Sequence, residues 1–194
     1  MSYIKELIGL PTRAPQDRNA ICKIIPSFPH KGLGKYYRTT DVCLNPLLFR
    51  EIIKQLADAV SGYHAECIAS IDSRGHLYGT AVAASLALPL LCVQKGGKIP
   101  GPTLQESYNM VYDQGKVLEI PANLGLAGMK VAVIDDAIAT GGSMVAACKL
   151  MESAGSTVVC CLSPFNDTRH EKRRVPAFKQ KYFPITRTWY DLTD

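Results

Sequence analysis

The sequence predicts an α/β fold built on an open, mostly parallel twisted sheet with helices on both faces. Short apolar runs typical of buried strands alternate along the chain with longer stretches whose apolar residues recur at helical spacing. Strands that alternate with helices form parallel sheets whose two faces are both covered. The chain has 194 residues, which favours one domain with a sizeable core.

The individual elements follow from capping and turn residues. A first helix is predicted to begin after Asn45 and to end at Gly62. Asn45 can cap this helix, and Pro46 is tolerated in its first turn. Two βαβ units follow, and Gly155 stops the helix of the second unit. We predict their strands at residues 67–72, 90–93, 131–134 and 158–162, and their helices at residues 77–88 and from about Met144.

A β-hairpin is predicted between the two units. Residues 108–112 and 116–120 read as strands on either side of the short turn Asp113-Gln114-Gly115. Residues 1–35 carry scattered Pro, Gly and Lys with little periodicity, so we predict an N-terminal arm there. Residues 36–194 are expected to form the main domain, which includes the hairpin at residues 104–120.

The composition is that of an ordinary globular protein, with 47% hydrophobic and 20% charged residues. We expect a cytoplasmic protein with no membrane partner, because the sequence has neither a signal-peptide pattern nor an apolar stretch of about 18 residues. Seven cysteines without a CxxC pair indicate free thiols in a reducing compartment. The four histidines are scattered without metal-ligand spacing, so we predict no metal-binding residues.

Charge alone does not identify a partner. A net charge of +5 suits an anionic small molecule, a weak nucleic-acid contact or no partner equally well. The first 23 residues are too short and irregular for a DNA-recognition module, so we expect no nucleic-acid partner. The basic stretch at residues 169–174 is expected to be a solvated face.

The run from Val131 to Ser143 offers a binding site for an anion. Thr140, Gly141 and Gly142 come just before a helix, where free backbone N–H groups and the helix dipole favour a phosphate. The glycines allow close approach of the backbone, and the Thr140 and Ser143 hydroxyls add donors. Neither GxxxxGK[ST] nor GxGxxG is present, so the phosphate loops of triphosphatases and dinucleotide enzymes are excluded.

Asp135 and Asp136 at the end of the preceding strand complete this site. Carboxylates would repel a phosphate, but they accept hydrogen bonds from sugar hydroxyls. In parallel sheets, ligands bind beyond the carboxyl ends of the strands, where both parts of the run lie. A tight turn beside a solvated acid pair would explain the parts separately, whereas the whole run favours a ribose 5-phosphate site.

The same run resembles the 5-phosphoribosyl 1-diphosphate motif of the type I phosphoribosyltransferases, and other segments resemble the adenine branch of that family. The resemblance covers about residues 24 to 172. The matching segments are residues 71–75 (Ile-Asp-Ser-Arg-Gly), residues 95–103 (Lys-Gly-Gly-Lys-Ile-Pro-Gly-Pro-Thr), Ser107-Tyr108 with Tyr112, and residues 27–29 with Tyr37-Arg38.

The resemblance implies an enzyme of purine salvage that transfers the 5-phosphoribosyl group from the diphosphate donor to adenine, giving AMP and pyrophosphate. It further implies Mg²⁺ bound mainly through the donor diphosphate, which agrees with the preference of Mg²⁺ for phosphate oxygens and few carboxylates. The implied partners are these small-molecule substrates and a second copy of the chain, since the family usually forms homodimers.

The resemblance also assigns roles to single residues. Arg74 and Lys95 would bind the pyrophosphate, and Tyr112 would belong to a mobile lid formed by residues 104–120. The remaining implied contacts are those of the donor (Asp135, Asp136, Ala139, Thr140, Gly141, Gly142 and Ser143) and those of the base in an N-terminal hood (stacking on Tyr37 and backbone hydrogen bonds around Arg38).

Two of the departures from the family pattern bear on catalysis; the others are Ser143 in place of a Thr and a turn at residues 113–115 that is one residue longer. Val111 stands where the adenine branch usually has a Glu that serves the base as a proton donor or acceptor, and Gln94 replaces an Arg. Glu106 or Asp113 could substitute for the missing carboxyl group. Three hypotheses follow: an adenine phosphoribosyltransferase with altered lid chemistry, a phosphoribosyltransferase for another purine, and a donor-binding regulatory protein with little or no turnover.

Overall fold

The computed structural model describes residues 24–31, 34–109 and 115–193, and the α/β fold predicted from the sequence is confirmed in these ranges. The strands are β1 (Ser27–His30), β2 (Gly34–Tyr37), β3 (Cys67–Ile71), β4 (Leu90–Lys95), β5 (Thr103–Tyr108), β6 (Lys116–Pro121), β7 (Lys130–Ile134), β8 (Ala137–Ile138), β9 (Thr157–Asp167) and β10 (Thr186–Leu192). The helices are α1 (Pro46–Gly62), α2 (Gly75–Leu86) and α3 (Gly142–Ser153). Short 3-10 helices occupy Thr39–Leu44, Thr168–Arg173 and Phe183–Ile185, and a π-helix occupies Phe178–Tyr182.

The main sheet has the strand order β10-β9-β7-β3-β4-β6-β5, and β8 pairs with β9 outside this path. The strands from β10 to β4 are parallel to one another, whereas β6 is antiparallel to both of its neighbours, β4 and β5. Strands β1 and β2 form a separate antiparallel hairpin. The carboxyl ends of the parallel strands therefore meet at one edge of the sheet, which is where ligands bind in folds of this type.

Helices cover both faces because successive residues of a strand point to opposite sides. Ile68 in β3 and Ala132 in β7 face one core, which contains the apolar sides of α1 and α2. Their neighbours Cys67 and Val131 face a second core, which contains α3 and the β5–β6 hairpin. Both strands are buried on their two faces, which is why they read in the sequence as continuous apolar runs.

The structure differs from the predicted elements at several places. Strands β1, β2 and β8 were not predicted, and β1 lies in the segment expected to be an irregular arm. The first strand of the hairpin lies at Thr103–Tyr108 and not at residues 108–112, of which residues 110–112 lie outside the described residues. Strand β9 continues beyond residue 162 through Ser163 and Pro164 to Asp167. Strand β10 was not predicted, because it mixes charged and apolar residues as an edge strand does.

Among the helices of the described ranges, none combines the length and the apolar composition that a membrane span requires.

The predicted start of α1 is confirmed in atomic detail, since the Asn45 side chain accepts a hydrogen bond from the Leu48 N–H at 3.0 Å. We expect Asn45→Ala to lower the free energy of unfolding by about 0.5–2 kcal/mol, because that N–H loses its partner at a buried helix end. Asn45→Ser retains a capping oxygen and is expected to lose less. Urea denaturation measures both variants, and equal losses would contradict the role of the cap.

Candidate functional site

A cleft of about 350 Å³ opens at the carboxyl ends of the parallel strands. The segments that follow β3 and β7 line it, together with strand β2 and the ends of β4, β5, β9 and β10. Most of the residues proposed from the sequence lie in its wall: Tyr37, Arg74, Lys95, Asp135, Asp136, Ala139, Thr140, Gly141, Gly142 and Ser143.

The anion loop, residues 139–143, leads directly into α3. Gly141 is the residue before the helix and has a φ of 78°, a conformation that L side chains rarely adopt. A Cβ atom on Gly141 would lie 2.4 Å from the Phe178 ring, and one on Gly142 would lie 2.5 Å from the Asn109 carbonyl oxygen. Glycine is therefore required at both positions, and both residues line the cleft where α3 begins.

The acid pair, Asp135 and Asp136, follows β7 and is nearly buried, with exposures of 8% and 4%. Asp135 Oδ1 accepts the Asp136 N–H at 2.8 Å, and its Oδ2 accepts the Ser143 hydroxyl at 3.1 Å. Asp136 Oδ2 lies 3.2 Å from Arg74 Nε. The acid pair is thus fixed at the wall of the cleft and connected to the anion loop through Ser143.

The two carboxyl groups of the acid pair are buried next to each other, which disfavours the charged form of Asp135. Burial, followed by the nearby charge of Asp136, raises the pKa of Asp135 from its usual value of 3.8 to about 8. The hydrogen bonds from the Asp136 N–H and Ser143 and the charge of Arg74 oppose this rise but do not cancel it. Hydroxyl groups that donate to the pair favour its charged form, so a diol would relieve the strain.

Arg74 immediately precedes α2 and crosses the cleft toward the acid pair. Besides the contact with Asp136, its Nη1 donates to the Tyr36 hydroxyl at 3.0 Å, and its guanidinium carbon lies 5.5 Å from the centre of the Tyr36 ring. In this conformation Arg74 connects the acid pair to strand β2. Its side chain is 32% exposed, which leaves the guanidinium accessible to a ligand.

A second group of charges lies where β3 and β4 end. Lys95 is exposed at the cleft, while Lys98 Nζ contacts the Asp72 carboxylate. Burial acts to raise the pKa of Asp72, but hydrogen bonds from Lys98 and the Lys95 N–H outweigh it and hold the pKa below its usual value. Buried Glu119 fixes the turn, since it accepts the N–H groups of Lys98 at 2.7 Å and Ile99 at 2.9 Å.

Of the two residues that the resemblance assigns to the base, one lines the cleft and the other does not. Tyr37 lines the cleft, but it is only 6% exposed and its hydroxyl donates to the Thr193 carbonyl. Arg38 is not brought to the cleft: its guanidinium pairs with Asp41 at 2.7 Å, and its backbone N–H donates to the Pro26 carbonyl at 2.9 Å. Tyr36, the residue before Tyr37, also lines the cleft.

The expectation that residues 169–174 form a solvated face is wrong for Arg169 and Arg174. Both side chains are at least nine-tenths buried. Arg169 donates to both carboxylate oxygens of Asp167 at 2.8 Å, and its guanidinium carbon lies 5.2 Å from the centre of the Tyr37 ring. Arg169 and Asp167 line the cleft beside Tyr37, so they belong to the candidate site.

Asp167 and Arg169 were missed because the predicted strand ended at residue 162. Polar residues after a parallel strand are a signal for a site, and this signal would have applied had β9 been followed to its end. Thr39 was missed because a single Thr after a hairpin has no distinctive pattern, although it also lines the cleft.

The lid residues are only partly described. Tyr112, Val111 and Asp113 lie outside the described residues. Glu106, one candidate for replacing the family's lid carboxyl group, does not line the cleft, and its Oε2 lies 3.5 Å from Lys149 Nζ on α3.

Fold and cleft together define an α/β protein of the class whose ligand site lies at the carboxyl edge of a parallel sheet. The sequence model of the protein family described as phosphoribosyl transferase domain matches residues 45–190 of this chain. An adenine phosphoribosyltransferase of Corynebacterium kroppenstedtii is 40% identical over 135 residues, which are 69% of this chain and 73% of that protein. That of Bos taurus is 39% identical over 141 residues, covering 71% and 77% of the two chains.

A solved adenine phosphoribosyltransferase from Thermoanaerobacter pseudethanolicus is similar in structure as well. It has a TM-score of 0.78 at 29% identity, and the match covers 89% of this chain and 98% of that one. The chain belongs to the adenine phosphoribosyltransferase family.

Proposed function

We propose that the protein serves purine salvage by transferring the 5-phosphoribosyl group of 5-phosphoribosyl 1-diphosphate, the donor, to adenine, with AMP and pyrophosphate as products. The observation that carries this proposal is the juxtaposition, in one cleft, of the anion loop, the acid pair and Arg74. These groups match the three polar parts of the donor, which are the 5-phosphate, the ribose diol and the diphosphate. Membership of the family supports the choice of adenine.

The 5-phosphate is assigned to Ala139, Thr140, Gly141, Gly142 and Ser143, which line the cleft at the start of α3, because the first N–H groups of a helix favour an anion. The ribose diol is assigned to the acid pair. Its hydroxyl groups would donate to two carboxyl groups that are otherwise crowded together in a nearly buried place. Binding both ends of the sugar would hold C1 of the ribose at a fixed position in the cleft.

The diphosphate is assigned to Arg74 and Lys95, with Lys98 close by. A guanidinium can contact two phosphate oxygens at once, and the exposed Lys95 adds a point charge. These cations would stabilise the negative charge that develops on the leaving pyrophosphate as the base attacks. Arg74 must turn away from Asp136 to do so, since it contacts that carboxylate at 3.2 Å in the described conformation.

The cofactor that we propose is Mg²⁺, bound mainly through the diphosphate. Within the described part of the chain, no group of three His, Cys, Asp or Glu side chains could hold a metal ion. The carboxylates that do line the cleft fit an ion that takes most of its ligands from phosphate oxygens and water. When bound there, Mg²⁺ would neutralise part of the charge on the diphosphate.

The base is assigned to the part of the cleft next to Tyr36 and Tyr37. The ring of Tyr37 is fixed by the buried Arg169–Asp167 pair and by its own hydroxyl bond, so it offers a rigid edge rather than a free stacking face. We further propose, on the resemblance alone, that Tyr112 closes the cleft from a lid at residues 104–120 and that backbone near Arg38 reads the base. A hood that includes residues 1–35, a homodimer and a cytoplasmic location are proposed on the same ground.

The test is an assay of donor-dependent nucleotide formation with adenine, hypoxanthine, guanine and xanthine in the presence of Mg²⁺. We expect AMP and pyrophosphate from adenine. Product from another base alone would contradict adenine as the substrate. Donor binding without turnover of any base would contradict an enzyme and would favour a donor-binding regulatory protein.

A further inference from the structure

Thr39 contacts two parts of the proposed donor site, the acid pair and Arg74. It is 1% exposed and begins the 3-10 helix that follows the β1–β2 hairpin. Its hydroxyl donates to Asp136 Oδ2 at 2.8 Å and accepts from Arg74 Nη1 at 3.3 Å. One hydroxyl group therefore contacts both the carboxylate assigned to the diol and the guanidinium assigned to the diphosphate.

We propose that Thr39 is a positioning residue of the donor site, whose hydroxyl holds the Asp136 carboxylate when Arg74 turns to the diphosphate. This inference rests on the proposed function, because it requires a ligand that engages Asp136 and Arg74 at the same time.

The need for such a group follows from burial. Asp136 is only 4% exposed, and a nearly buried carboxylate without hydrogen-bond donors is strongly unfavourable. The Thr39 hydroxyl lies 2.8 Å from Asp136 Oδ2, so it can continue to donate to that carboxylate when Arg74 turns to the diphosphate. Without that hydroxyl, Asp136 would hold Arg74 more tightly, and only the diol of the donor would replace the contact that Arg74 gives up.

The position of Thr39 suits this role because its backbone is fixed from another side. Its carbonyl oxygen accepts the hydroxyl of Tyr78, a fully buried residue of α2. The hydroxyl of Thr39 therefore points at Asp136 from a rigid support, and the orientation of the carboxylate is set before a ligand arrives.

The test compares Thr39→Val, which keeps the shape and removes the hydroxyl, with Thr39→Ser, which keeps the hydroxyl. We expect Thr39→Val to raise the dissociation constant and the KM for the donor about 10- to 100-fold, because the variant loses a hydrogen bond to a charged group. The kcat and the KM for adenine are expected to change little, and Ser is expected to restore donor binding. Thr40→Val, on the same 3-10 helix and half-buried, serves as the matched control and is expected to bind the donor normally.

Donor binding is measured by calorimetry, with thermal unfolding to verify that each variant is folded; Thr39→Ala repeats the test should the Val variant fail to fold. Equal donor affinity in Thr39→Val and the unaltered protein would overturn the role of Thr39 alone. Impairment of Thr39→Ser as severe as that of Thr39→Val would do the same, because a variant that keeps the hydroxyl would then bind the donor no better than one that lacks it. Absence of donor binding by the unaltered protein would overturn the proposed function as well.

Discussion

Replacing both Asp135 and Asp136 with alanine is expected to weaken donor binding by about 100-fold or more, while the protein stays folded. Each carboxyl group is assigned hydrogen bonds from the ribose diol, and hydrogen bonds to charged groups contribute roughly 1.5–3 kcal/mol each. Two such losses correspond to about two to four orders of magnitude in affinity. Folding should survive, because removing both acids also removes the repulsion between them and leaves no unpaired carboxylate in the wall.

The experiment is calorimetric titration with the donor and, separately, with inorganic phosphate as a probe of the anion loop. Phosphate binding should be retained in the double variant, since the N–H groups at the start of α3 are unchanged. Asp58→Ala is a suitable control, because Asp58 is an exposed acid on α1 that pairs with Lys54. Donor affinity unchanged in the folded double variant would refute the assignment of the diol to the acid pair.

The sequence predicted the parallel part of the fold well because the physics there is local. Strands buried on both faces, such as β3 and β7, must be apolar throughout, and Asn45 and Gly155 mark helix ends by their own chemistry. The edge strand β10 gave no such pattern, since its partner β9 supplies hydrogen bonds that no local signal in residues 186–192 foretells.

The site was predictable where one continuous run carries it. The anion loop and the acid pair follow a single strand, so their order along the chain already gives their arrangement in space. Thr39, Asp167 and Arg169 come from distant segments and meet the run only through the tertiary fold. Their roles depend on burial and on partners that no single-sequence pattern encodes.

The second large effect concerns stability and its pH dependence. Asp135→Asn keeps the shape of the side chain and the oxygen that accepts the Asp136 N–H at 2.8 Å, but it removes a carboxyl group whose pKa is raised to about 8. The Ser143 hydroxyl can reverse its role and accept from the new amide. We expect the variant to be more stable than the unaltered protein and to bind the donor poorly.

The sign of the pH dependence follows from the direction of that pKa shift. The folded protein keeps a proton on Asp135 up to about pH 8, whereas the unfolded chain releases it near the usual pKa of 3.8. Between these two values the folded state binds more protons, so the free energy of unfolding falls as pH rises. Asn does not titrate, so the stability advantage of Asp135→Asn should grow from about pH 4 to pH 8 and then level off.

Urea denaturation at pH 5 and pH 8 measures this difference, which should reach a few kcal/mol because each unit of pKa difference corresponds to about 1.4 kcal/mol. Asp58→Asn, at an exposed position, should show no comparable growth with pH. A variant no more stable than the unaltered protein at pH 8 would contradict the strain assigned to the acid pair. A stability gain combined with weakened donor binding would instead support the proposal that the fold buries Asp135 beside Asp136 at a cost in stability, and that the ribose diol of the donor offsets this cost.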